Sequence, residues 1–255
     1  MRTDKRINEF WNSAYNKLED GGYISDDSKI NSYRFLVEKA ELEAFIEKYT
    51  TKDGRRRALD VGCGNGRFSR VLSEYFDEVD AIDIAKSIID KNIKECKESN
   101  IHYYMATLEE WIEKKKEQYD FIYIGGVLMY IDDKNIPAIY RGLLAVLKTD
   151  AILILRESVM TKKRVDNISK SYVAYYRSKE FYSKIEYLNL LKIKENLAYR
   201  VSELRGVLSR LKIGFLFQKH IYSYLLYCLR CKDLVWKPNL NKLTNHYYLY
   251  RKEKI

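Results

Sequence analysis

Between residues 58 and 155 five short apolar runs (58–61, 78–82, 101–105, 121–124 and 151–155) alternate with stretches of helical periodicity. Each run is four or five residues long and mostly apolar, with Asp60 in the first and Glu78 and Asp80 in the second. That is the pattern of a strand covered on both faces, since a half-exposed strand alternates apolar with polar residues. The intervening segments are long enough for the crossovers that parallel strands require. The alternation therefore predicts an α/β fold: a Rossmann-like, doubly wound, mostly parallel sheet with helices on both faces. With 46% hydrophobic residues in 255, the chain has the apolar material for such a core, and general disorder is excluded. Ahead of the alternation, helical spacing over 8–17 and 28–49 predicts two N-terminal helices, with Asp26, Asp27 and Ser28 as capping candidates for the second. Behind it the alternation stops for nearly 90 residues. There 165–177 and 179–199 read as helices, 202–212 as a short amphipathic segment, and 246–251 (HYYLYR) as a last, aromatic strand. The chain is thus expected to be a single domain: a helical lid (1–50), a core (51–158), a basic, tyrosine-rich helical cap (159–245) and a final strand (246–255).

The turn after the first apolar run is Asp60-Val61-Gly62-Cys63-Gly64-Asn65-Gly66. Glycines at the start of a helix let the backbone turn tightly and approach a ligand, and the unpaired N–H groups there favour an anion. The dinucleotide fingerprint is G-x-G-x-x-G, whereas the spacing here is G-x-G-x-G, which disfavours a nicotinamide or flavin. The second run ends in Asp83, 17 residues after Gly66, where a carboxylate can accept from both hydroxyls of a ribose. The combination suits a nucleoside joined to something short and charged rather than to a pyrophosphate.

ALDVGCGNGRFSRVL followed by VDAIDIAKSII resembles the cofactor site of the class I S-adenosylmethionine-dependent methyltransferases, over residues 10–157 and most clearly over 58–84. The resemblance implies a seven-stranded sheet whose last strand is antiparallel and inserted beside the fifth. It implies S-adenosylmethionine as cofactor, held by Asp60 and the Gly62, Gly64 and Gly66 loop, with Asp83 on the ribose and Ile84 against the adenine. Ala106, Thr107 and Leu108 match the segment that borders the adenine, and Gly125 with Gly126 faces the methionine part. A narrower likeness joins FWNSAYNKLEDGGYIS and GNGRFS to the protein α-N-terminal methyltransferases, where the arginine matching Arg67 pairs with the cofactor's carboxylate, as a guanidinium fork can. The chain departs from that group beyond strand five. Arg156-Glu157-Ser158 replaces Lys-Asp-Asn, and Tyr172 to Ser178 carries tyrosine and arginine where the group has the acids that receive a peptide amine.

Ligands of open α/β sheets bind at the carboxyl ends of the strands, which places Gly125 to Tyr130 and Glu157-Ser158 near the acceptor. Glu157 is the candidate general base, or else a capping carboxylate. Arg177 with Tyr176 is the candidate clamp for an acceptor phosphate or carboxylate, or else part of an amphipathic helix. Trp11 and Tyr15 form an aromatic lid or ordinary core. His102, His220 and His246 are scattered, and Cys228 and Cys231 are a single C-x-x-C, so no metal is expected.

Charge divides the chain. Through Met160 there are 25 basic and 29 acidic residues; beyond it there are 21 and 7. The basic last third points to an anionic partner: a charged acceptor, a membrane surface or nucleic acid. Residues 205–236 mix aromatics with Lys and Arg as an interfacial segment does, or supply the sixth strand and its helix. No apolar run reaches membrane-spanning length, no signal-peptide pattern opens the chain, and four cysteines suit a reducing compartment. A cytoplasmic location, with peripheral membrane contact as the variant, is the expectation. The expected activity is methylation of a hydroxyl or amine on a small molecule or glycan, phosphorylated acceptors included. The alternatives are protein N-terminal or RNA methylation, and a non-catalytic cofactor-binding protein.

Overall fold

The computed structural model describes residues 5–15, 28–114, 117–160, 164–170, 172–199 and 243–253. The readings of 202–212, of 205–236 as interfacial, of the Cys228/Cys231 pair and of His220 all fall outside them, as does the side chain of Tyr15.

Helices α1 (Lys5–Tyr15) and α2 (Ser28–Tyr49) precede the alternation. Then come β1 (Arg57–Val61), α3 (Arg67–Ser73), β2 (Glu78–Asp83), α4 (Lys86–Glu95) and β3 (Ile101–Met105). They are followed by α5 (Leu108–Lys114), β4 (Tyr119–Gly125), α6 (Ile136–Val146) and a long β5 (Leu147–Met160). The last strands are β6 (Val165–Ile168), β7 (Val173–Tyr176), β8 (Leu188–Glu195) and β9 (Leu243–Lys252). The main sheet has the order β3-β2-β1-β4-β5-β9-β8. Strands β1 to β5 are parallel, and β9 runs antiparallel to both its neighbours, pairing Leu155 with Tyr248 and Ile193 with Tyr248 on its other edge. The doubly wound sheet with an inserted antiparallel last strand is as expected.

The apolar runs work because successive side chains serve opposite faces. Leu59, Ile122, Leu153, Tyr248 and Tyr250 pack with Leu108 and Trp111 of α5 and Ile139 and Leu143 of α6. Ala58, Phe121, Ile152, Tyr247 and Leu249 pack with Leu42 and Phe45 of α2, Leu72 of α3 and Ile88 of α4. Each fully buried aliphatic or aromatic side chain contributes roughly 1.5–3 kcal/mol.

The helical reading of 165–177 and 179–199 is corrected. Strands β6 and β7 form a separate two-stranded hairpin (Val165 opposite Tyr176, Ile168 opposite Val173), a 3₁₀ turn covers Lys179–Ser183, and β8 is an edge strand of the main sheet. Val173-Ala174-Tyr175-Tyr176 is β-prone, and it gains a partner five residues back, Ile168, through the Ser169 turn, where the Tyr172 N–H donates to Ser169 Oγ. The sixth strand is thus β8, ahead of the 205–236 region in which it was expected. The hairpin continues from β5, with the Met160 N–H donating to the Arg177 carbonyl at 2.9 Å. This lays β7 over the carboxyl ends of the parallel strands, where the site lies.

Candidate functional site

Strand β1 ends in a loop whose three glycines all have positive φ: +72° at Gly62, +52° at Gly64 and +72° at Gly66. A side chain at Gly62 would place its Cβ 2.5 Å from Val127 Cγ2, and one at Gly66 would strike the Tyr103 hydroxyl. Space and backbone conformation both demand glycine. The loop is then pinned to its neighbours. Gly62 and Cys63 donate their N–H groups to the Ile82 carbonyl (2.8 and 3.0 Å), and Asn92 Nδ2 donates to the Gly64 carbonyl (2.7 Å). Asp83, 6% exposed at the end of β2, accepts the Gly64 N–H on Oδ2 (3.0 Å) and the Ala85 N–H on Oδ1 (2.9 Å). Asp83 also faces the space in front of the loop.

That space is a cavity of about 300 Å³. On one side its walls are Gly62 to Asn65, Arg67, Asp83, Ile84, Thr107, Leu108 and Gly125. All the residues expected to bind cofactor are therefore on the wall, except Asp60 and Gly66. Gly66 is the left-handed residue that starts α3. Asp60 lies beneath the loop, buried, accepting the Ser69 hydroxyl at 2.6 Å. Desolvation pushes its carboxyl up to about 7 against that hydrogen bond. Its position makes it a support for α3 rather than a wall of the cavity. Thr107 and Glu110 cap α5 reciprocally, Glu110 N–H to Thr107 Oγ1 (3.1 Å) and Thr107 N–H to a Glu110 carboxylate oxygen (3.2 Å), which fixes the Ala106 to Leu108 edge.

The other side of the cavity is aromatic and basic. It is built by Trp11, Arg34, Tyr130, Arg156, Tyr172, Tyr176 and Tyr199. The hydroxyls of Tyr130, Tyr172 and Tyr176 form a chain, 3.3 Å and then 3.4 Å. Burial raises those of Tyr130 and Tyr176, so both are neutral hydroxyls at ordinary pH. Arg156 donates from Nε to the Tyr123 hydroxyl (2.9 Å) and from Nη1 to Glu38 of α2 (3.2 Å) and the Tyr199 hydroxyl (3.3 Å). Glu38 also receives Asn196 Nδ2 at 2.7 Å. Gly125 makes room for this guanidinium, because a Cβ there would sit 2.9 Å from Arg156 Nη2.

Of the three residues expected to act on the acceptor, only Tyr176 is on the wall. Glu157 is fully buried and turned under the Gly126 turn, where its Oε1 accepts the Val127 and Leu128 N–H groups at 3.1 and 3.0 Å. Of the two readings, the geometry favours the capping carboxylate. Arg177 is 1% exposed and committed. Nε donates to Asp133 (2.7 Å), Nη1 to the Leu128 carbonyl (2.7 Å) and the Tyr182 hydroxyl (3.1 Å), and Nη2 to the Ile131 carbonyl. A guanidinium so used holds the 128–133 turn and lies away from the cavity wall, which corrects the clamp reading. Arg34, Arg156, Tyr172 and Tyr199 were not singled out for roles. The strand-end rule points at Arg156, but Arg34 sits in a helix crowded with charges and nothing local distinguishes it. Among the described residues no cluster of His, Cys, Asp and Glu has the makings of a metal site.

A methyltransferase-domain family model matches residues 58–150. Among curated proteins, the N-terminal Xaa-Pro-Lys N-methyltransferase 1 of Danio rerio is 27% identical over 143 residues, covering 54% of this chain and 62% of the relative. Phosphoethanolamine N-methyltransferase 1 of Arabidopsis thaliana is 27% identical over 150 residues, covering 58% of this chain and 30% of the relative. The chain thus spans less than two thirds of these relatives. Among solved structures, the 1,6-didemethyltoxoflavin-N1-methyltransferase of Burkholderia thailandensis, crystallised with bound 1,6-didemethyltoxoflavin and S-adenosylhomocysteine, superposes with a TM-score of 0.61 at 11% identity, over 98% of this chain and 88% of that one.

Proposed function

We propose that this chain, a class I S-adenosylmethionine-dependent methyltransferase in fold and in its family match, transfers a methyl group to a nitrogen of a small, negatively charged acceptor. One observation carries the reading. A single cavity joins a positive-φ glycine loop and Asp83 to a chamber of tyrosines and arginines. The loop wall fits the cofactor. Asp83 is the carboxylate for the ribose hydroxyls, Thr107 and Leu108 offer an edge for the adenine, and Arg67 is the cation for the amino-acid carboxylate. When bound, S-adenosylmethionine supplies a sulfonium methyl group with its leaving group built in, so the protein's task is alignment and exclusion of water. Trp11 and the three linked tyrosines wall off the acceptor side. The neutral hydroxyls of Tyr130 and Tyr176 can orient a lone pair but are poor bases, which suits an amine that arrives deprotonated. Both curated relatives are N-methyltransferases by name, which favours nitrogen over a hydroxyl. The size of the cavity favours a small molecule over a glycan or RNA, and the Arg34 and Arg156 guanidiniums beside the tyrosines, in addition to Arg67, favour an anionic one.

Calorimetric titration of the purified chain with S-adenosylmethionine and S-adenosylhomocysteine, with NADH as control, tests the cofactor. Micromolar binding of the first two is expected, weakened about 10- to 100-fold in Asp83→Ala, the size of two lost charge-assisted hydrogen bonds. Binding of NADH instead, or no binding, overturns the reading. Release of S-adenosylhomocysteine in a screen of anionic amines then separates an enzyme from a cofactor-binding protein.

A further inference from the structure

Three cationic side chains line the cavity: Arg34, Arg67 and Arg156. Their surroundings are not equivalent. Arg67, at the first position of α3, lies on the loop side with its guanidinium carbon 5.3 Å from the centre of the Phe35 ring. Arg156 faces the chamber, but its charge is answered by Glu38 at 3.2 Å, and its Nε and Nη1 are engaged by the Tyr123 and Tyr199 hydroxyls. Arg34 has no such answer. Glu38 stands one helical turn further along α2, on the same face by its i, i+4 spacing, yet it is turned to Arg156 and Asn196. The Arg34 guanidinium instead lies over the ring of Tyr199, 5.6 Å from carbon to ring centre. Its Nε is buried with no hydrogen-bond partner among the described residues, and no carboxylate there pairs with it.

A guanidinium donor that is withdrawn from water and left unanswered is penalised until an acceptor reaches it. Stacking on an aromatic ring holds the planar fork in a fixed orientation, so little freedom is lost when an anion docks. The Tyr199 hydroxyl is itself held by Arg156. The ring, the two guanidiniums and Glu38 are therefore one braced assembly on the cavity wall, and the next residue along α2, Phe35, meets Arg67 and Phe68 beside the glycine loop. We propose that Arg34, stacked on Tyr199, is the residue that receives the carboxylate or phosphate of the acceptor. This rests on the methyltransferase reading for what the chamber is for, and it moves the anion subsite from Arg177, where the sequence put it, to α2.

Inorganic phosphate is the probe, followed by phosphorus NMR line broadening with and without S-adenosylhomocysteine, alongside calorimetry with S-adenosylhomocysteine alone. The wild-type chain is expected to bind phosphate in the millimolar range. Arg34→Ala weakens it at least tenfold, Arg34→Lys keeps part of it because a point charge replaces a fork, and Arg141→Ala, an exposed arginine of α6, leaves it unchanged. Affinity for S-adenosylhomocysteine stays within about twofold in both Arg34 variants, which also certifies that they are folded. Phosphate binding that is absent from the wild type, or equal in wild type and Arg34→Ala, overturns the proposal. So does a tenfold loss of S-adenosylhomocysteine affinity in Arg34→Ala, which makes Arg34 a cofactor ligand. If the wild type does not bind S-adenosylhomocysteine at all, the methyltransferase reading fails, while the phosphate measurement still decides what Arg34 does.

Discussion

At the scale of single residues, chemistry and position were legible to different degrees. Asp83 was readable because a strand end, a glycine turn and an acid at fixed spacing leave its side chain one place to go. Glu157 and Arg177 were not, because where they point depends on the 126–133 turn folding beneath them, which no local pattern announces. Burial then gives Glu157 a measurable signature. Desolvation, opposed by the two amide hydrogen bonds, pushes its carboxyl from 4.5 up to about 7, and Asp60 moves the same way from 3.8. Since both folded values lie above the unfolded ones, the native chain binds more protons than the unfolded one between about pH 4 and 7. The contribution of these groups is complete below that window and lost as pH rises through it. For Glu157 this is on the order of 3 kcal/mol. Glu157→Gln removes one of the two titrations while keeping an acceptor for the Val127 and Leu128 N–H groups. Melting scans from pH 5 to 8 should therefore give the variant a visibly flatter decline than the wild type, whatever its absolute stability. Parallel curves would mean that Glu157 is ionised in the folded chain throughout.

Among the elements, β1 to β5 and their helices were legible because each is written in local periodicity and its strand neighbours come from the same pattern. Strand β8 was not. Its partner β9 begins nearly fifty residues later, and Leu190-Leu191-Lys192-Ile193 carries no clean apolar–polar alternation to announce a strand, so the segment reads as part of a helix over 179–199. What fixes β8 is the register with β9 and a buried polar knot at its end. Asn196 donates from Nδ2 to Glu38 (2.7 Å) and Asn245 Oδ1 (2.9 Å), accepts the Ala198 N–H (3.0 Å), and sends its own N–H to the Asn245 carbonyl (2.8 Å). Asn245 passes the chain on to Ser158. The knot binds α2, β5, β8 and β9 into one support behind Arg156. Asn196→Ala leaves Glu38, already fully buried, with one donor fewer, and should cost about 2–3 kcal/mol in urea unfolding. A loss under about 0.5 kcal/mol would show that the knot is incidental.

For the whole molecule, the cavity is a meeting of distant parts of the chain: α1 and α2, the loops of the core, and the 156–199 stretch whose strands replaced the expected helical cap. The parts are clasped at the mouth. Arg6 of α1 donates to the Ser169 carbonyl in the β6–β7 turn (3.0 Å), Phe10 meets Tyr172 edge-on with centres 4.8 Å apart, and Trp11 meets Tyr130 at 5.7 Å. Aromatic pairs of this kind contribute about 0.5–1.5 kcal/mol beyond their area. Ile7 of the same helix is also buried, so whether α1 behaves as a lid or as a core element is what the Trp11 ring can be used to test. As a lid, α1 without the Trp11 ring should show the loss in ligand exchange more than in folding. Trp11→Ala is expected to speed dissociation of S-adenosylhomocysteine about tenfold in stopped-flow chase experiments, while the ligand-free chain loses no more than the one or two kcal/mol of a half-buried aromatic. Trp11→Phe keeps an edge-on partner for Tyr130 and should fall between the two. If dissociation is unchanged in Trp11→Ala while unfolding is severely affected, α1 is part of the folded core, and the mouth of the cavity must open through the hairpin instead.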